Sequence, residues 1–226
     1  MASAGSGDVL AGILGAVLAG AAARITAEAD WLTALPVPRA DDASVMLSED
    51  DAGRAPRPGE LLYRPQRLVL GMGAERGAPA DEAIALAEQA LQQAGVSPLC
   101  LAMVATLDVK ADEASLNAVA AHFNVPLRVF DAATLEAETH RLTTPSDIVF
   151  AEVGCHGVAE GAALAAGGQD ATLVLAKLKS RRVTAAVARA QSLAIAQRLR
   201  AQRADRLRRG GGGRGRRSGG RRRGPG

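Results

Sequence analysis

Residues 99–107, LCLAMVATL, form a run in which every side chain except that of Thr106 is apolar. A strand with one face in water alternates polar and apolar residues, whereas a strand covered on both faces is apolar throughout. The run therefore predicts a strand inside a sheet that carries helices on both of its faces.

Segments typical of strands and of helices alternate on either side of this run. Residues 67–72 (RLVLGM) and 126–130 (PLRVF) have the composition of strands, and helices are predicted at 79–94, 112–123 and 132–138. Repetition of strand and helix favours parallel strands that are joined by right-handed crossovers.

The second half of this segment changes the order of its elements. Residues 144–154 and 157–167 predict two successive helices, and residues 172–179 and 182–189 predict two strands joined by a two-residue turn. Such a pair is a hairpin at the edge of a sheet. The expected fold class is therefore α/β, with a mixed, mostly parallel sheet and helices on both faces in three layers.

The two ends of the chain differ from this segment. Residues 191–226 hold 12 arginines and one aspartate, so the rest of the chain is net acidic although the formal net charge is +3. We expect a basic helix at the start of this part and a disordered Arg/Gly-rich tail after it. The tail has few apolar side chains to bury, so it cannot offset the entropy cost of ordering. Residues 66–190 are the predicted domain. Residues 1–65 are expected to be an extended segment left from a preceding unit, with a helix within 5–23 and a linker at 36–65 that holds one short strand at 44–47.

Composition also limits the cellular location and the kinds of binding partner that we expect. Cys100 and Cys155 are not spaced as metal ligands, so we expect no metal site, no disulfide framework and a cytoplasmic location. The apolar run at 9–23 is too short to span a bilayer, so no membrane partner is expected. The basic tail has no aromatic side chain on which bases could stack, and no nucleic-acid partner is expected either.

Six separated stretches resemble, in this order, the C-terminal domain of the cobalamin-biosynthesis protein CbiG and its stand-alone relative CobE. They are GMGAERG (71–77), TLDVKADE (106–113), TPS (144–146), VGCHGVAE (153–160), KLK (177–179) and VTAAVA (183–188). Ala74 stands where this family usually has a cysteine, which argues against a thiol function in that loop. Residues 22–65 resemble the end of the middle segment of longer CbiG proteins, and we expect the N-terminal CbiG domain to be absent.

The resemblance implies a function in corrin ring assembly, with a tetrapyrrole intermediate as ligand. CbiG is the cobalt-precorrin-5A hydrolase, which opens a δ-lactone on the macrocycle and releases a two-carbon aldehyde. CobE implies the alternative of a non-catalytic module that binds or presents a corrin precursor, so enzyme and binding module both stay open. No cofactor is expected, any cobalt belonging to the substrate, and other enzymes of the cobalamin pathway are candidate partners.

Three glycines lie at or after the end of the first predicted strand, namely Gly71, Gly73 and Gly77. A glycine-spaced turn between a strand and a helix lets backbone amides meet a carboxylate of the substrate. The alternative is a tight turn without contact to substrate.

Asp108, Lys110 and Glu113 lie just past the second strand, where open α/β sheets place their ligands. Corrin precursors carry acetate and propionate groups, so Lys110 is a candidate for binding a carboxylate. Asp108 or Glu113 could position or deprotonate a water molecule. A capped helix start with a solvated lysine is the alternative.

Further candidates lie in the second half of the domain. Glu160, a carboxylate within an apolar helix, is a candidate catalytic group, or else part of a solvated helix face. Lys177 and Lys179 are expected on one side of a strand, where they bind substrate carboxylates or discourage edge-to-edge aggregation. The resemblance adds Ser146 and Thr184 as substrate-binding residues. His156 is expected to be an exposed loop side chain, and no function is assigned to it.

Overall fold

The computed structural model describes residues 23–25, 45–49, 51–55, 57 and 60–190 of the chain. The strands in these residues are β1 (Ala23–Ile25), β2 (Val45–Glu49), β3 (Glu60–Tyr63), β4 (Leu68–Ala74), β5 (Leu101–Leu107), β6 (Leu127–Phe130), β7 (Thr172–Lys179) and β8 (Val183–Arg189). The helices are α1 (Ala80–Gln93), α2 (Ala114–His122), α3 (Ala132–Glu136), α4 (Asp147–Val153) and α5 (Val158–Gly167).

The larger sheet has five strands in the order β6-β5-β4-β8-β7. Strands β4, β5 and β6 are parallel, β8 is antiparallel to β4, and β7 is antiparallel to β8. Only β8 therefore runs against the other four strands. The predicted mixed, mostly parallel sheet is confirmed, and so is the hairpin, which places β8 beside β4 and β7 at the edge.

Helices cover both faces of this sheet, as the apolar run at 99–107 predicts. Helices α1 and α2 pack on one face, against Leu70, Met72 and Val104, while α5 packs on the other, against Val69 and Ala105. All five of these strand side chains are buried, because helices cover them on one face of the sheet or the other. Burial of one large aliphatic side chain contributes about 1.5–3 kcal/mol, so the two layers together account for much of the driving force for folding.

Helix α5 lies unusually close to β4. A Cβ atom added to Gly71 would lie 2.0 Å from the carbonyl oxygen of Ala159 and 2.6 Å from the amide nitrogen of Ala163. Glycine in the strand and small residues in the helix therefore allow this approach. The contact fixes the position of the first turn of α5 relative to the end of β4.

Local chemistry ends α1 within one residue of its predicted end. Gly95 adopts a φ of +67° after α1, with hydrogen bonds from Gly95 to Gln92 and from Val96 to Leu91. This pair of bonds is the Schellman arrangement, which favours glycine at that position. Ser146 caps α4 through its side-chain oxygen.

Part of the preceding segment packs against the domain. Asp51 lies between Arg189 at the end of β8 and Arg67 before β4, with its Oδ2 atom 2.5 Å from the Arg189 Nε atom. The Asp51 carbonyl oxygen accepts a hydrogen bond from Ser97, and Gly53 donates one to Gly95. These contacts join residues 51–53 to the edge of the sheet where β4 begins.

Some of the segment before the domain has regular structure that the sequence analysis did not predict. Strands β1, β2 and β3 form a parallel three-stranded sheet, of which only a strand at 44–47 was expected. The helix expected within 5–23 and the tail at 191–226 lie outside the described residues. In the described part of the chain no single helix is long and apolar enough to cross a membrane, and α4 and α5 pass that test only as a pair bent by 77°.

Candidate functional site

The carboxyl ends of β4, β5 and β6 meet at one edge of the sheet because these strands are parallel. Strand β7 runs in the same direction and ends there as well. We call this the carboxyl edge. Open α/β sheets bind ligands outside this edge.

Three candidate residues form a row across the carboxyl edge. Thr184 of β8 is paired with Gly73 of β4 on one side and with Lys179 of β7 on the other. Paired residues point to the same face of a sheet. A Cβ atom on Gly73 would lie 2.8 Å from the Thr184 Oγ1 atom and 3.4 Å from the Val158 side chain, so the row lies on the face that α5 covers.

All three lysines of the chain lie at or near this edge. Lys179 is the last residue of β7 and is exposed, and Lys177 lies two residues earlier and is half-buried. Lys110 is half-buried in the 3-10 turn that follows β5. The Lys177 Nζ atom donates a hydrogen bond to the Thr144 carbonyl oxygen at 3.2 Å.

Helix α5 begins beside this row, directly after Gly157. Glycine has no side chain that could cap the helix, so the first turn of α5 depends on other groups for its amides. The positive end of the helix dipole therefore points to the carboxyl edge, close to Gly73 and Thr184.

Glu160, in the first turn of α5, is only 2% exposed, and its carboxylate accepts four hydrogen bonds from neighbouring groups. Its Oε2 atom accepts hydrogen bonds from the amides of Thr143 and Thr144 at 2.7 and 3.1 Å. Its Oε1 atom accepts from the Thr144 hydroxyl at 2.9 Å and from the Lys177 amide at 2.8 Å. Burial alone raises the pKa of Glu160, but these hydrogen bonds outweigh it and hold the pKa below its ordinary value.

Ser146 belongs to the same loop as these threonines. Its Oγ atom accepts a hydrogen bond from the Val149 amide at the start of α4, at 3.5 Å. Its own amide donates to the His156 carbonyl oxygen at 2.8 Å. The loop at 143–146 is thus fixed at one end by Glu160 and at the other by His156.

Glu113 holds the loop after β4 on the opposite face of the sheet, beside α2. Both of its carboxylate oxygens accept a hydrogen bond from the Gly77 amide, at 3.1 and 3.2 Å, and the Ser115 hydroxyl lies 3.4 Å from Oε1. Gly77 has a φ of +67°, which favours glycine. Glu113 is 9% exposed, so its carboxylate faces this loop and not open solvent.

The remaining candidates are separated from the row. Asp108 is exposed, and its Oδ1 atom accepts a hydrogen bond from the next amide, that of Val109, at 2.7 Å. Gly71 is buried under α5, two residues inside the sheet. The structure therefore brings Gly73, Thr184, Lys177 and Lys179 together at the start of α5.

His156 is the polar residue of this region to which the sequence analysis assigned no function. Its Nδ1 atom lies 2.9 and 3.0 Å from the two carboxylate oxygens of Glu136, and its amide donates to Glu136 at 3.0 Å. The ring stacks on Phe150 with a centroid distance of 4.5 Å and an interplanar angle of 22°. The hydrogen bond from His156 is the main cause that lowers the pKa of Glu136.

The sequence carries little signal for this pair. Glu136 and His156 are 20 residues apart and lie on different elements, so no spacing relates them. Only the fold of α3 against the loop between α4 and α5 brings them into contact.

Among the described residues, no group of three or more His, Cys, Asp or Glu side chains is arranged to hold a metal ion. Burial raises the pKa of the Cys155 thiol, which favours its neutral form.

The fold and the site define a class of protein: an α/β domain that presents lysines and a helix N-terminus at the carboxyl ends of its strands. The family model described as "Cobalamin synthesis G C-terminus" matches residues 68–188. The chain belongs to this family, as the six stretches indicated. A function in cobalamin biosynthesis follows from this membership.

Individual relatives support the same assignment. The chain is 54% identical over 137 residues to protein CobE from Sinorhizobium sp., an alignment that covers 61% of this chain and 89% of CobE. It is 36% identical over 128 residues to a cobalt-precorrin-5A hydrolase from Priestia megaterium, covering 57% of this chain and 33% of the hydrolase. The chain thus spans only about a third of that enzyme.

A solved structure agrees with the fold. The crystal structure of CobE, a protein from the cobalamin (vitamin B12) biosynthetic pathway, has a TM-score of 0.52 and 37% sequence identity to this chain. The match covers 55% of this chain and 91% of the CobE chain.

Proposed function

We propose that the domain binds a corrin precursor, a polycarboxylate tetrapyrrole, at the carboxyl edge of its sheet. The observation that carries this proposal is that all three lysines of the chain lie at or near one edge, with Lys177 and Lys179 beside the first turn of α5. Lys179 and Lys177 would bind carboxylates of the ligand on the α5 side, and Lys110 would bind one beyond β5. Thr184 and the backbone at Gly73 would complete the contact surface.

A binding and presenting function, as in a CobE-like module, is the first of two candidates. Two of the three candidate catalytic carboxylates, Glu113 and Glu160, accept hydrogen bonds from backbone amides around the edge. They shape the site, and their oxygens are unavailable to a water molecule without breaking those contacts. A cofactor has no function in this proposal, and any cobalt is carried by the ligand.

Hydrolysis of a corrin lactone is the second candidate. The relative named cobalt-precorrin-5A hydrolase shares 36% identity with this chain across the domain, and that likeness favours the candidate. Asp108 is the exposed member of the three carboxylates at this edge. Incubation with cobalt-precorrin-5A and detection of released aldehyde separates the two functions.

The test of binding is a titration of the protein with cobalt-precorrin-5A, followed by the change in visible absorbance. We expect Lys110→Ala and Lys177→Ala each to weaken the affinity by about 1–3 kcal/mol, the range of charge-assisted hydrogen bonds. Lys179→Ala is expected to act in the same direction with a smaller effect, because Lys179 is exposed and screened by water.

Arg57→Ala is the matched control, since Arg57 is an exposed cation in the segment before β3 and not at the carboxyl edge. Its affinity should equal that of the wild type. Unchanged affinity in both Lys110→Ala and Lys177→Ala would place the ligand elsewhere.

A further inference from the structure

Two contacts hold the imidazole of His156 in one orientation, and a third fixes its backbone. Glu136 accepts from Nδ1 and from the backbone amide of His156, and Phe150 stacks on the ring. The side chain of His156 is 23% exposed, so one part of the ring still meets solvent. A side chain fixed in this way needs no further ordering to act on a ligand.

The contact with Glu136 decides which ring nitrogen carries the proton. Since the pKa of Glu136 is lowered, its carboxylate is ionised near neutral pH and can only accept hydrogen bonds. Nδ1 is therefore the N–H donor of the neutral ring, and Nε2 carries the lone pair of that ring.

The charged groups around the ring come from two elements. Glu136 belongs to α3, and Asp147, the first residue of α4, has its Oδ1 atom 3.4 Å from Nε2. The Asp147 side chain is fully exposed, so it can rotate away from Nε2 without losing buried contacts. The neighbouring thiol of Cys155 is buried and favoured in its neutral form.

His156 also lies next to the groups of the carboxyl edge. Its carbonyl oxygen accepts a hydrogen bond from the Ser146 amide. The following residue, Gly157, directly precedes the first turn of α5. By contrast, the carboxylates of Glu113 and Glu160 are used by loop amides. The imidazole is thus an oriented proton acceptor beside this edge, in addition to the exposed carboxylate of Asp108.

We infer that His156 is the general base of lactone hydrolysis at this site and that Glu136 is its positioning residue. This inference rests on the proposed binding of a corrin precursor and on hydrolysis as its chemistry. Nε2 takes a proton from a water molecule as the water oxygen bonds to the lactone carbonyl carbon. The bond between that carbon and the alkoxy oxygen of the lactone then breaks, and the alkoxy oxygen receives the proton from Nε2, leaving a carboxylic acid and a hydroxyl group. The hydroxyl group next loses its proton as its carbon becomes the aldehyde carbonyl. The electron pair of the carbon–carbon bond that joined this carbon to the macrocycle stays with the macrocycle, which takes up a proton.

The experiment measures binding and turnover of cobalt-precorrin-5A separately, in single-turnover reactions across a pH series. His156→Gln should reduce the rate of aldehyde release by about 100-fold or more, the range of general-base catalysis, with little change in affinity. Glu136→Gln should lower the rate while the imidazole remains in place. The wild-type rate should rise with pH through one ionisation that is missing in His156→Gln.

His140→Gln is the control. His140 is exposed, and its Nδ1 atom makes a hydrogen bond with the carbonyl oxygen of Ala137, three residues earlier. It should keep the wild-type rate and pH profile. Thermal melting of each variant shows whether the fold is intact, and Glu136→Gln keeps the inference testable should His156→Gln fail to fold.

Each remaining outcome has a definite meaning. Normal turnover in His156→Gln overturns the function of His156 while leaving hydrolysis in place. A wild type that binds the precursor but releases no aldehyde overturns hydrolysis and the general base together, and leaves binding intact. A wild type that does not bind the precursor overturns the proposed function as well.

Discussion

Glu160 joins three parts of the domain through a single carboxylate. It accepts hydrogen bonds from the loop at 143–144 and from Lys177 in β7, while it belongs to α5. A buried carboxylate satisfied by amides is stabilising only while it is ionised, because protonation removes an acceptor site.

The stability of the domain should therefore depend on pH through Glu160. Its pKa is lower in the folded protein than the unfolded value of about 4.3, so its stabilising contribution is complete above that value and is lost as pH falls through the folded pKa. In Glu160→Gln the NH₂ of the new side-chain amide, itself a donor, replaces one of the accepting oxygens and faces N–H donors of the backbone. The variant should therefore be less stable than the wild type near neutral pH.

Urea unfolding of both proteins between about pH 3 and pH 6 measures this difference. The gap in unfolding free energy should narrow as the solution becomes more acidic. A gap that is constant over this range would show that the ionised form of Glu160 has no special stabilising effect.

At the scale of elements, the approach of α5 to β4 positions the site. The distance between them is set by Gly71, because its missing Cβ leaves room for the backbone of Ala159 and Ala163. The same approach places Gly157 and the first turn of α5 over Gly73 and Thr184. The packing of one helix therefore decides where the carboxyl edge meets a helix N-terminus.

Gly71→Ala should destabilise the domain by about 1–3 kcal/mol, the usual cost of overpacking a closely packed contact. The added methyl group would overlap the α5 backbone, which can move only with the whole helix. The measurement is the midpoint of thermal or urea unfolding.

Gly53→Ala is the matched control. A Cβ atom at that position would have its nearest neighbour, the Val96 carbonyl oxygen, at 3.6 Å, which is ordinary contact. Its stability should stay within about 0.5 kcal/mol of the wild type. Equal stability of the two variants would mean that α5 is not held against β4 as the structure shows.

At the scale of the whole molecule, the buried apolar residues of both clusters lie between Leu68 and Ala188. Deletion of residues 191–226 should therefore leave a cooperative melting transition. The deleted form should still bind cobalt-precorrin-5A through the lysines of the carboxyl edge. Its affinity should fall with added salt, which screens charge pairing.

Circular dichroism melting and absorbance titration at several salt concentrations test this prediction. Loss of the cooperative transition would show that the tail is part of the folded unit. Retained melting without binding would instead make the arginines of the tail the carboxylate-binding groups.

The sequence by itself determined the layers and the family. The apolar run at 99–107 and the alternation of segments predicted a mostly parallel sheet with helices on both faces, and β7 begins and ends at the predicted residues. Local rules suffice for such features because hydrophobic period and turn residues act over a few positions. The strand β3 was missed because Pro, Gly and charged residues before it are typical of a linker.

Only the tertiary structure decided what the candidate side chains contact. From sequence, Glu160 and Glu113 are only carboxylates near a predicted edge. In the folded domain both accept hydrogen bonds from backbone amides. The pairing of His156 with Glu136 likewise depends on how α3 packs beside the loop before α5. Such contacts join residues 16 to 36 positions apart, and no local pattern encodes them because their geometry is set by the packing of whole elements.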